Sequence, residues 1–207
     1  MKYDLHIHTN FSKCSRIKPE KLLKIAKERG LNGIAVTDHN TIQGGIAAAK
    51  LNQNQDFEVI VGAEMKTVDG EILGLYLNEE IKSREMFEII DEIHQQGGIA
   101  IIAHPTARFR RSLKQPCIEL KGKIQGIETF NSRALLLENW RAQRIASRFV
   151  FGATGGSDAH FYYEIGRGYT EFEGDLRHAI KAKATKVGGS ILYAPVGGLL
   201  SFFKKKI

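Results

Sequence analysis

The first segment of the chain alternates apolar and polar side chains with a period of two. Leu5 and Ile7 alternate there with His6 and His8. Residues two apart in an extended strand share a face, so both imidazoles project to one side and the apolar side chains to the other. The pattern predicts a β-strand that carries two candidate metal ligands. Taken alone, it fits a strand with two ordinary polar histidines equally well, and the residues downstream decide between these readings.

Continuous apolar runs then alternate with segments of helical periodicity. The runs predict buried strands at residues 33–37, 58–61, 98–102, 126–130 and 151–154. Helices are predicted from Pro19 to Gly30 and at residues 83–96, 134–149 and 175–182, with a hairpin at 68–77 around Asp69 and Gly70. Repeated strand–helix units predict a mostly parallel sheet covered by helices. No GxGxxG motif follows the first strand, which disfavours a dinucleotide-binding fold.

The composition is that of a soluble globular domain. The 207 residues are 43% hydrophobic and 26% charged. No apolar run reaches the roughly 18 residues that span a bilayer, and no signal-peptide pattern opens the chain. The only cysteines, Cys14 and Cys117, make no disulfide framework, so we expect a cytoplasmic protein. The net charge of +7 favours an anionic partner, a phosphorylated metabolite or nucleic acid, or else reflects a basic surface without a specific partner.

Polar side chains with metal-binding chemistry follow most of the predicted strands. In chain order they are Asp38, His39, Glu64, His104, Glu128, Asn131, Asp158 and His160. In parallel α/β folds, sites are built where strands end, so we expect these side chains to converge with His6 and His8. A mixture of imidazole and carboxylate suits zinc, manganese or iron. The two other histidines, His94 and His178, fall on predicted helices and are interpreted as surface residues.

In this order the motifs resemble the PHP (polymerase and histidinol phosphatase) domain family. The matching stretches between residues 4 and 160 are DLHIHTNFS, GIAVTDHNT, VGAEM, AHP and GSDAH. The strings PEKLLKIAKERGLNGIAVTDHNT and IETFNSR are similar to those of short, stand-alone members. The resemblance implies an α/β fold, a distorted seven-stranded, TIM-like β/α barrel, which we assign to residues 1–189.

The resemblance also implies a centre of two or three divalent metal ions, whether zinc, manganese or iron. The ligands that it implies are His6, His8, Glu64 and Asp158 for the first metal, Glu64 and His104 for the second, and His39 and His160 for the third. At two positions this chain departs from the family. Cys14 lies in the loop where the family usually has Asp or His, and Glu128 and Asn131 lie where it often has His or Cys. These three residues are possible further ligands.

The activity that the resemblance implies is metal-dependent hydrolysis of a phosphoester, by attack of a metal-activated hydroxide on a small phosphorylated metabolite or nucleotide. The alternatives are a metal-dependent nuclease acting on single-stranded ends and a metal-binding domain without catalysis. Asp38 is a catalytic candidate that orients His39 or a water, or else a turn residue. The candidate phosphate-binding residues are Arg108, which is also a catalytic candidate, Arg110, Arg111, Arg133 and Arg167. Of Arg108, Arg110 and Arg111, we expect two to be solvated residues of a basic loop and not to bind substrate.

The last segment, residues 190–207, is apolar and ends in three lysines. Pro195 and two glycines interrupt any long helix there, and the stretch is too short to cross a membrane. We expect it to pack on the barrel, because large exposed apolar patches are unusual on soluble monomers. A subunit contact and an anchor on anionic lipid are the alternatives. The sequence leaves the oligomeric state open.

Overall fold

A computed structural model describes residues 1–108, 110–115 and 117–191 of the chain. The strands are β1 (Lys2–Ile7), β2 (Gly33–His39), β3 (Glu58–Lys66), β4 (Glu71–Leu75), β5 (Ile99–Ile102), β6 (Gly126–Asn131), β7 (Gly152–Gly156), β8 (Gly168–Glu171) and β9 (Lys186–Gly189). The helices are α1 (Pro19–Glu28), α2 (Gln43–Leu51), α3 (Met86–Gln95), α4 (Leu136–Phe149) and α5 (Leu176–Ala182). Every strand and helix that the sequence predicts is present, with shifted bounds, whereas α2, β8 and β9 were not predicted.

Within the described residues, nine strands form one sheet, in the order β7-β6-β5-β4-β3-β2-β1-β8-β9. The expected count of seven is therefore wrong. The two additional strands, β8 and β9, pair antiparallel with each other and extend the sheet beyond β1. A bridge between Ile7 and Ala159 brings the segment after β7 alongside β1, so β1 to β7 form a nearly closed barrel. The barrel-like α/β fold is confirmed in this coarser form.

The direction of β4 differs from that of its neighbours. It pairs antiparallel with both β3 and β5, while the other neighbouring strands from β1 to β7 pair parallel. The hairpin predicted around Asp69 and Gly70 is confirmed as the connection from β3 to β4, where Lys66 pairs with Glu71. Because β4 runs against the other strands, its first residue, Glu71, lies at the edge where they end.

Alternate residues of the strands pack on opposite sides of the sheet, as the strand geometry requires. In β5, Ile99 and Ile101 belong to an interior cluster that α5 joins, whereas Ala100 and Ile102 pack with α3 on the outside. The barrel closes tightly at one position, because a Cβ at Gly156 would clash with the backbone and side chain of His6. Glycine there lets the end of β7 approach β1 and so places the residues that follow it beside the histidines.

Within the described part of the chain, no helix combines the length and the apolar character that crossing a bilayer requires. Strand β9 ends at Gly189, and Ser190 donates its backbone N–H to the carbonyl of Arg167. The tail for which we expect packing on the barrel lies outside the described residues from residue 192 onward.

Candidate metal centre

Imidazoles and carboxylates converge at the edge of the barrel where the parallel strands end. The side chains that meet there are His6, His8, His39, Glu64, Glu71, His104, Asp158 and His160. Two of them have left-handed backbone angles that non-glycine residues seldom adopt, with φ of 25° at His104 and 53° at Asp158. Such backbone strain concentrates at functional sites. The convergence follows from strand direction, since a parallel sheet brings all its carboxyl ends to one edge.

Four side chains, which we call the inner group, surround one small volume: His6, His8, Glu64 and Asp158. The Nε2 atoms of His6 and His8 are 3.2 Å apart, and His8 Nε2 lies 3.5 Å from Glu64 Oε2 and 3.3 Å from Asp158 Oδ1. His6 Nε2 lies 3.5 Å from Glu64 Oε1 and 3.8 Å from Asp158 Oδ1. A tetrahedral ion with bonds of about 2.1 Å separates its ligand atoms by roughly 3.4 Å, so these donors fit one divalent cation.

The Glu64 carboxylate lies between the inner group and two further histidines. Its Oε1 is 3.1 Å from His104 Nε2, and its Oε2 is 2.7 Å from His39 Nδ1. The atoms of the second contact are close but are not oriented to form a hydrogen bond. Among the residues that the structure describes, the two atoms of this second contact, Glu64 Oε2 and His39 Nδ1, are both buried without a hydrogen-bond partner. Buried polar atoms are costly to leave unpaired, and coordination of cations would satisfy atoms of this kind.

The charge state of Glu64 suits a bridging ligand. Burial alone would raise the pKa of its carboxyl, but His39 and His6 beside it hold that pKa well below its usual range. Burial together with His39 and His160 lowers the pKa of His8, which leaves its imidazole neutral and able to coordinate. Carboxylate and neutral imidazole are the forms in which these side chains bind metals.

Glu71 is a ligand candidate that the sequence analysis missed. It is buried at the start of β4, and its Oε2 lies 3.4 Å from His104 Nε2. Burial and the neighbouring Glu64 raise the pKa of its carboxyl. Glu71, Glu64 and His104 thus form a second set of possible ligands that shares Glu64 with the inner group. The available signal was a single charged residue in an otherwise apolar strand, EILGL.

Glu128 and Asn131 lie behind the ligands. Glu128 Oε1 is 2.9 Å from His6 Nδ1, while its Oε2 accepts the backbone N–H of His104 at 2.8 Å and the Asn131 amide at 3.0 Å. The Asn131 amide also lies 3.3 Å from Asp158 Oδ2. Because Glu128 binds one ring nitrogen of His6, the other is directed into the inner group. Burial lowers the pKa of His6, but Glu128 and Glu64 outweigh it and raise that pKa to about 10.

A third set, which we call the outer group, consists of His39, His160 and Cys14. His39 and His160 offer ligand atoms within 4.8 Å of each other and of His8. His160 Nδ1 lies 2.8 Å from the carbonyl oxygen of Asp158, and burial, Arg133 and Arg110 lower the pKa of its imidazole well below the usual value. The buried Cys14 lies in the loop after β1, two residues beyond Ser12, whose hydroxyl oxygen accepts the backbone N–H of His39. The outer group is thus assembled largely from loops and touches the inner group at His8, Glu64 and Asp158.

Asp38 binds the loop after β1 with its carboxylate. Its oxygens accept the Thr9 backbone N–H at 2.8 Å, the Thr9 hydroxyl at 2.5 Å and the Ser12 hydroxyl at 2.6 Å. The Ser12 hydroxyl oxygen in turn accepts the backbone N–H of His39 at 2.9 Å. Asp38 therefore reaches the ligands through the loop that carries Cys14, and the contacts of its carboxylate are those of a turn-forming residue.

Of the candidate arginines, the structure brings Arg110 directly against a candidate ligand. Its guanidinium forms an ion pair with Asp158 Oδ2, which leaves Asp158 Oδ1 facing His6 and His8. Arg108 is exposed and donates its backbone N–H to Glu138, and the Arg111 guanidinium donates to the carbonyl of Thr67.

The two later arginines bind residues of the loop after β7. Arg133 is buried and pairs with Glu164 at 3.1 Å, and the same carboxylate accepts the backbone N–H of His160. Arg167 donates to the carbonyl of Tyr163. Arg133 thus shares a carboxylate with a ligand candidate, while Arg167 binds loop backbone.

Sequence profiles of two families match the chain: the PHP domain over residues 4–150 and the PHP-associated region over residues 137–185. An uncharacterised protein of Methanocaldococcus jannaschii is 40% identical over 143 residues, covering 64% of this chain and 82% of that protein. A second protein of the same organism is 36% identical over 180 residues, covering 83% of this chain and 70% of that protein. A phosphoribosyl 1,2-cyclic phosphate 1,2-diphosphodiesterase of Eggerthella lenta is 35% identical over 82 residues, 37% of this chain and 31% of that enzyme.

Solved structures share the fold at low sequence identity. A two-domain protein of Bacteroides vulgatus containing a predicted PHP-like metal-dependent phosphoesterase superposes with a TM-score of 0.75 at 18% identity, over 99% of this chain and 69% of that one. A lesion-specific endonuclease of Pyrococcus furiosus superposes with a TM-score of 0.66 at 16% identity, over 90% of this chain and 57% of that one. At these identities the likeness shows the architecture.

Proposed function

We propose that this chain, which belongs to the PHP domain family, is a metal-dependent hydrolase that cleaves phosphoester bonds of a small phosphorylated metabolite or nucleotide. The profile match over residues 4–150 shows the membership, and it confirms the resemblance read from the motifs. The partial likeness to a cyclic-phosphate diphosphodiesterase supports the phosphoester chemistry.

One observation carries the proposal: a single buried carboxylate, Glu64, lies within 3.5 Å of ring nitrogens of four histidines. A carboxylate shared in this way is suited to bridge two cations. Divalent metal ions, when bound, supply an activated water near neutral pH and neutralise the charge of a phosphoester. We propose zinc, manganese or iron, two or three ions in all, because the donors are imidazole and carboxylate.

The chain's own residues would position these ions and the substrate. In our proposal, Glu128 fixes the ring of His6 so that its Nε2 faces the ions, and Asn131 steadies both Glu128 and Asp158. Arg110 is the proposed phosphate-binding residue, because a guanidinium beside a ligand carboxylate is placed to donate to a phosphate oxygen at the same centre. The Arg133–Glu164 pair holds the backbone of His160.

Two catalytic candidates from the sequence take other roles in this proposal. The contacts of Asp38 support a positioning role, since its carboxylate orders the loop from Thr9 to Ser12. Arg108 is exposed, and its backbone N–H anchors the segment after His104 to Glu138. We therefore propose Arg110 in preference to Arg108 and Arg111 as the residue that contacts substrate.

The test is hydrolysis by protein stripped with EDTA and reloaded with manganese, zinc or iron. The substrates are p-nitrophenyl phosphate, bis-p-nitrophenyl phosphate, a panel of phosphorylated sugars and nucleotides, and a labelled oligonucleotide. We expect metal-dependent release of phosphate or of p-nitrophenol. The Arg110→Gln variant should lose substrate affinity while retaining its metal, and Arg111→Gln is the matched control. A fully metal-loaded protein that is inactive on every substrate would instead support a metal-binding domain without catalysis.

A nuclease acting on single-stranded ends is the second candidate function. The observation that favours it is an exposed helix face, rich in arginine and carrying the chain's only tryptophan, that begins next to the segment bearing His104. The labelled oligonucleotide in the panel distinguishes this candidate from the first.

A further inference from the structure

The exposed side of α4 carries two parallel rows of side chains. Positions i, i+4, i+7 and i+11 of a helix lie on one side. The first row, which we call the arginine row, is Leu137, Arg141, Arg144 and Arg148. The second, the tryptophan row, is Leu136, Trp140, Gln143 and Ser147. All eight residues are exposed, while Glu138, Asn139, Ala142 and Ala146 form the buried face of the helix.

The arginine row has no acidic counterpart on its helix. Glu138 is the only carboxylate of α4, and it is buried. Across the part of the chain that the structure describes, no salt bridge involves Arg141, Arg144 or Arg148. From Arg141 to Arg148 the row extends about 10 Å along the helix axis. A line of three guanidinium groups without carboxylate partners is complementary to a chain of phosphates.

The tryptophan row offers an exposed aromatic surface beside these charges. Trp140 is 49% exposed, and the Arg144 guanidinium lies over its ring at 4.8 Å from the centroid. Leu136, one turn earlier, is 70% exposed. Bases stack on exposed aromatic rings regardless of sequence, and arginine adds a cation–π contribution.

The helix face begins beside the metal centre. Glu138 accepts the backbone N–H of Arg108 at 2.7 Å through its side chain, and its carbonyl accepts the Thr106 hydroxyl at 2.6 Å. The segment bound in this way also carries His104 and Arg110, both of which contact the ligand cluster. A strand lying along α4 would therefore have one end next to the candidate ligands.

We propose that these two rows bind single-stranded nucleic acid, with phosphates on the arginine row and bases over the tryptophan row. A duplex fits less well, because its bases are stacked on each other and present no free faces. An anionic membrane also fits less well, since a helix lying in a bilayer surface needs apolar residues along its length. Here the exposed apolar residues of α4 are confined to its first five residues. Binding requires no hydrolysis; only the use of the bound strand as substrate rests on the proposed function.

Trp140 is the only tryptophan, so its fluorescence reports binding at this surface directly. The probes are a 12-nucleotide oligothymidylate, the matching oligouridylate and a duplex of the same length, titrated into as-purified protein and again with EDTA to prevent cleavage. We expect single strands to quench the fluorescence and to bind more tightly than the duplex. Three phosphate contacts predict a slope of about −2 for the logarithm of affinity against that of salt concentration.

The variants separate this surface from the net charge of the protein. The triple variant R141Q, R144Q, R148Q should bind the single strands at least about tenfold more weakly and lose most of the salt dependence. The matched control, K24Q, K50Q, R84Q, removes the same charge from exposed positions elsewhere and should bind normally. W140A, followed with a fluorescein-labelled strand, should also weaken binding about tenfold, and W140F should restore most of it.

Three results would overturn the proposal: equal weakening by both triple variants, preference for the duplex, or arginine-row-dependent sedimentation with phosphatidylserine vesicles but no oligonucleotide binding. Hydrolysis of p-nitrophenyl phosphate is measured in parallel and should be unchanged in the R141Q, R144Q, R148Q variant. If the unaltered, metal-loaded protein hydrolysed no substrate of the panel, the proposed function would be contradicted and the binding result would remain intact, so the two failures are distinguishable.

Discussion

The inner and outer groups of the candidate metal centre use similar donor atoms but are held in different ways. The four inner side chains are at most 4% exposed, and a second layer of residues, Glu128 and Asn131, binds His6 and Asp158 from behind. In the outer group the side chain of His39 is 19% exposed and that of His160 is 9% exposed, and Cys14 lies in a loop. Ligands fixed before binding lose less entropy when an ion arrives. The inner group should therefore bind metal more tightly.

The largest expected effect comes from the inner-group residue that also contacts the outer group. Glu64 lies near His6 and His8 of the inner group, near His39 of the outer group and near His104. Glu64→Gln keeps the shape but removes the charge, so bound metal and hydrolysis should be lost together. Elemental analysis and activity on the same sample check this, with the exposed-site variant Glu79→Gln as control. Full metal content in Glu64→Gln would show that the shared carboxylate does not hold the cluster.

A smaller effect should follow when the support behind the inner group is weakened and every inner ligand stays. Glu128→Gln retains a hydrogen-bond acceptor for His6 but not the negative charge. Partners of this kind typically control metal affinity by about 10- to 100-fold. We expect weaker binding with unchanged stoichiometry, measured by competition with a chromogenic chelator. If affinity were equal to that of the unaltered protein, rigid support would not be what distinguishes the inner group.

The part of this centre that sequence reasoning found is the part that local patterns encode. The alternation around His6 and His8 predicts a strand with both rings on one face, and polar residues after apolar runs mark strand ends. Glu71 was missed because ligands were sought where strands end, whereas Glu71 begins a strand that runs back along β3 and so starts at that same edge. For Glu128, the sequence offered a ligand position, but which nitrogen of His6 it binds depends on three-dimensional approach. The missed α2 contains Gly44 and Gly45, which lower helix propensity.

The inner group should also release a proton when metal binds. Burial lowers the pKa of His6, but Glu128 and Glu64 raise it to about 10, so near neutral pH this imidazole is protonated until an ion displaces the proton. The affinity for metal should therefore rise as pH rises toward about 10 and fall as pH is lowered. The His6 imidazole alone can change this affinity by up to tenfold per pH unit. Calorimetry in buffers of different ionisation enthalpy counts the protons. Glu128→Gln should lower the pKa of His6, so fewer protons should be released when metal binds. An unchanged number of released protons in this variant would contradict the assignment of the proton to His6.

The smallest expected effect concerns Cys14 in the outer group. A thiolate in this loop could complete a site for zinc or iron with the two histidines, whereas a buried thiol can also act as a small apolar side chain. We expect a partial site, because two imidazoles are already present and the loop bearing Cys14 is ordered by Asp38. Cys14→Asp replaces the thiol with the carboxylate that divalent ions bind readily, so it should raise metal occupancy of the outer group while the metal affinity of the inner group stays constant.

Cobalt substitution supplies a second readout, since a sulfur–cobalt charge-transfer band should be present in the unaltered protein and absent from Cys14→Asp. Cys117→Asp, outside the cluster, is the control. Full outer occupancy without that band would show that the two histidines suffice and that Cys14 does not decide how many ions bind.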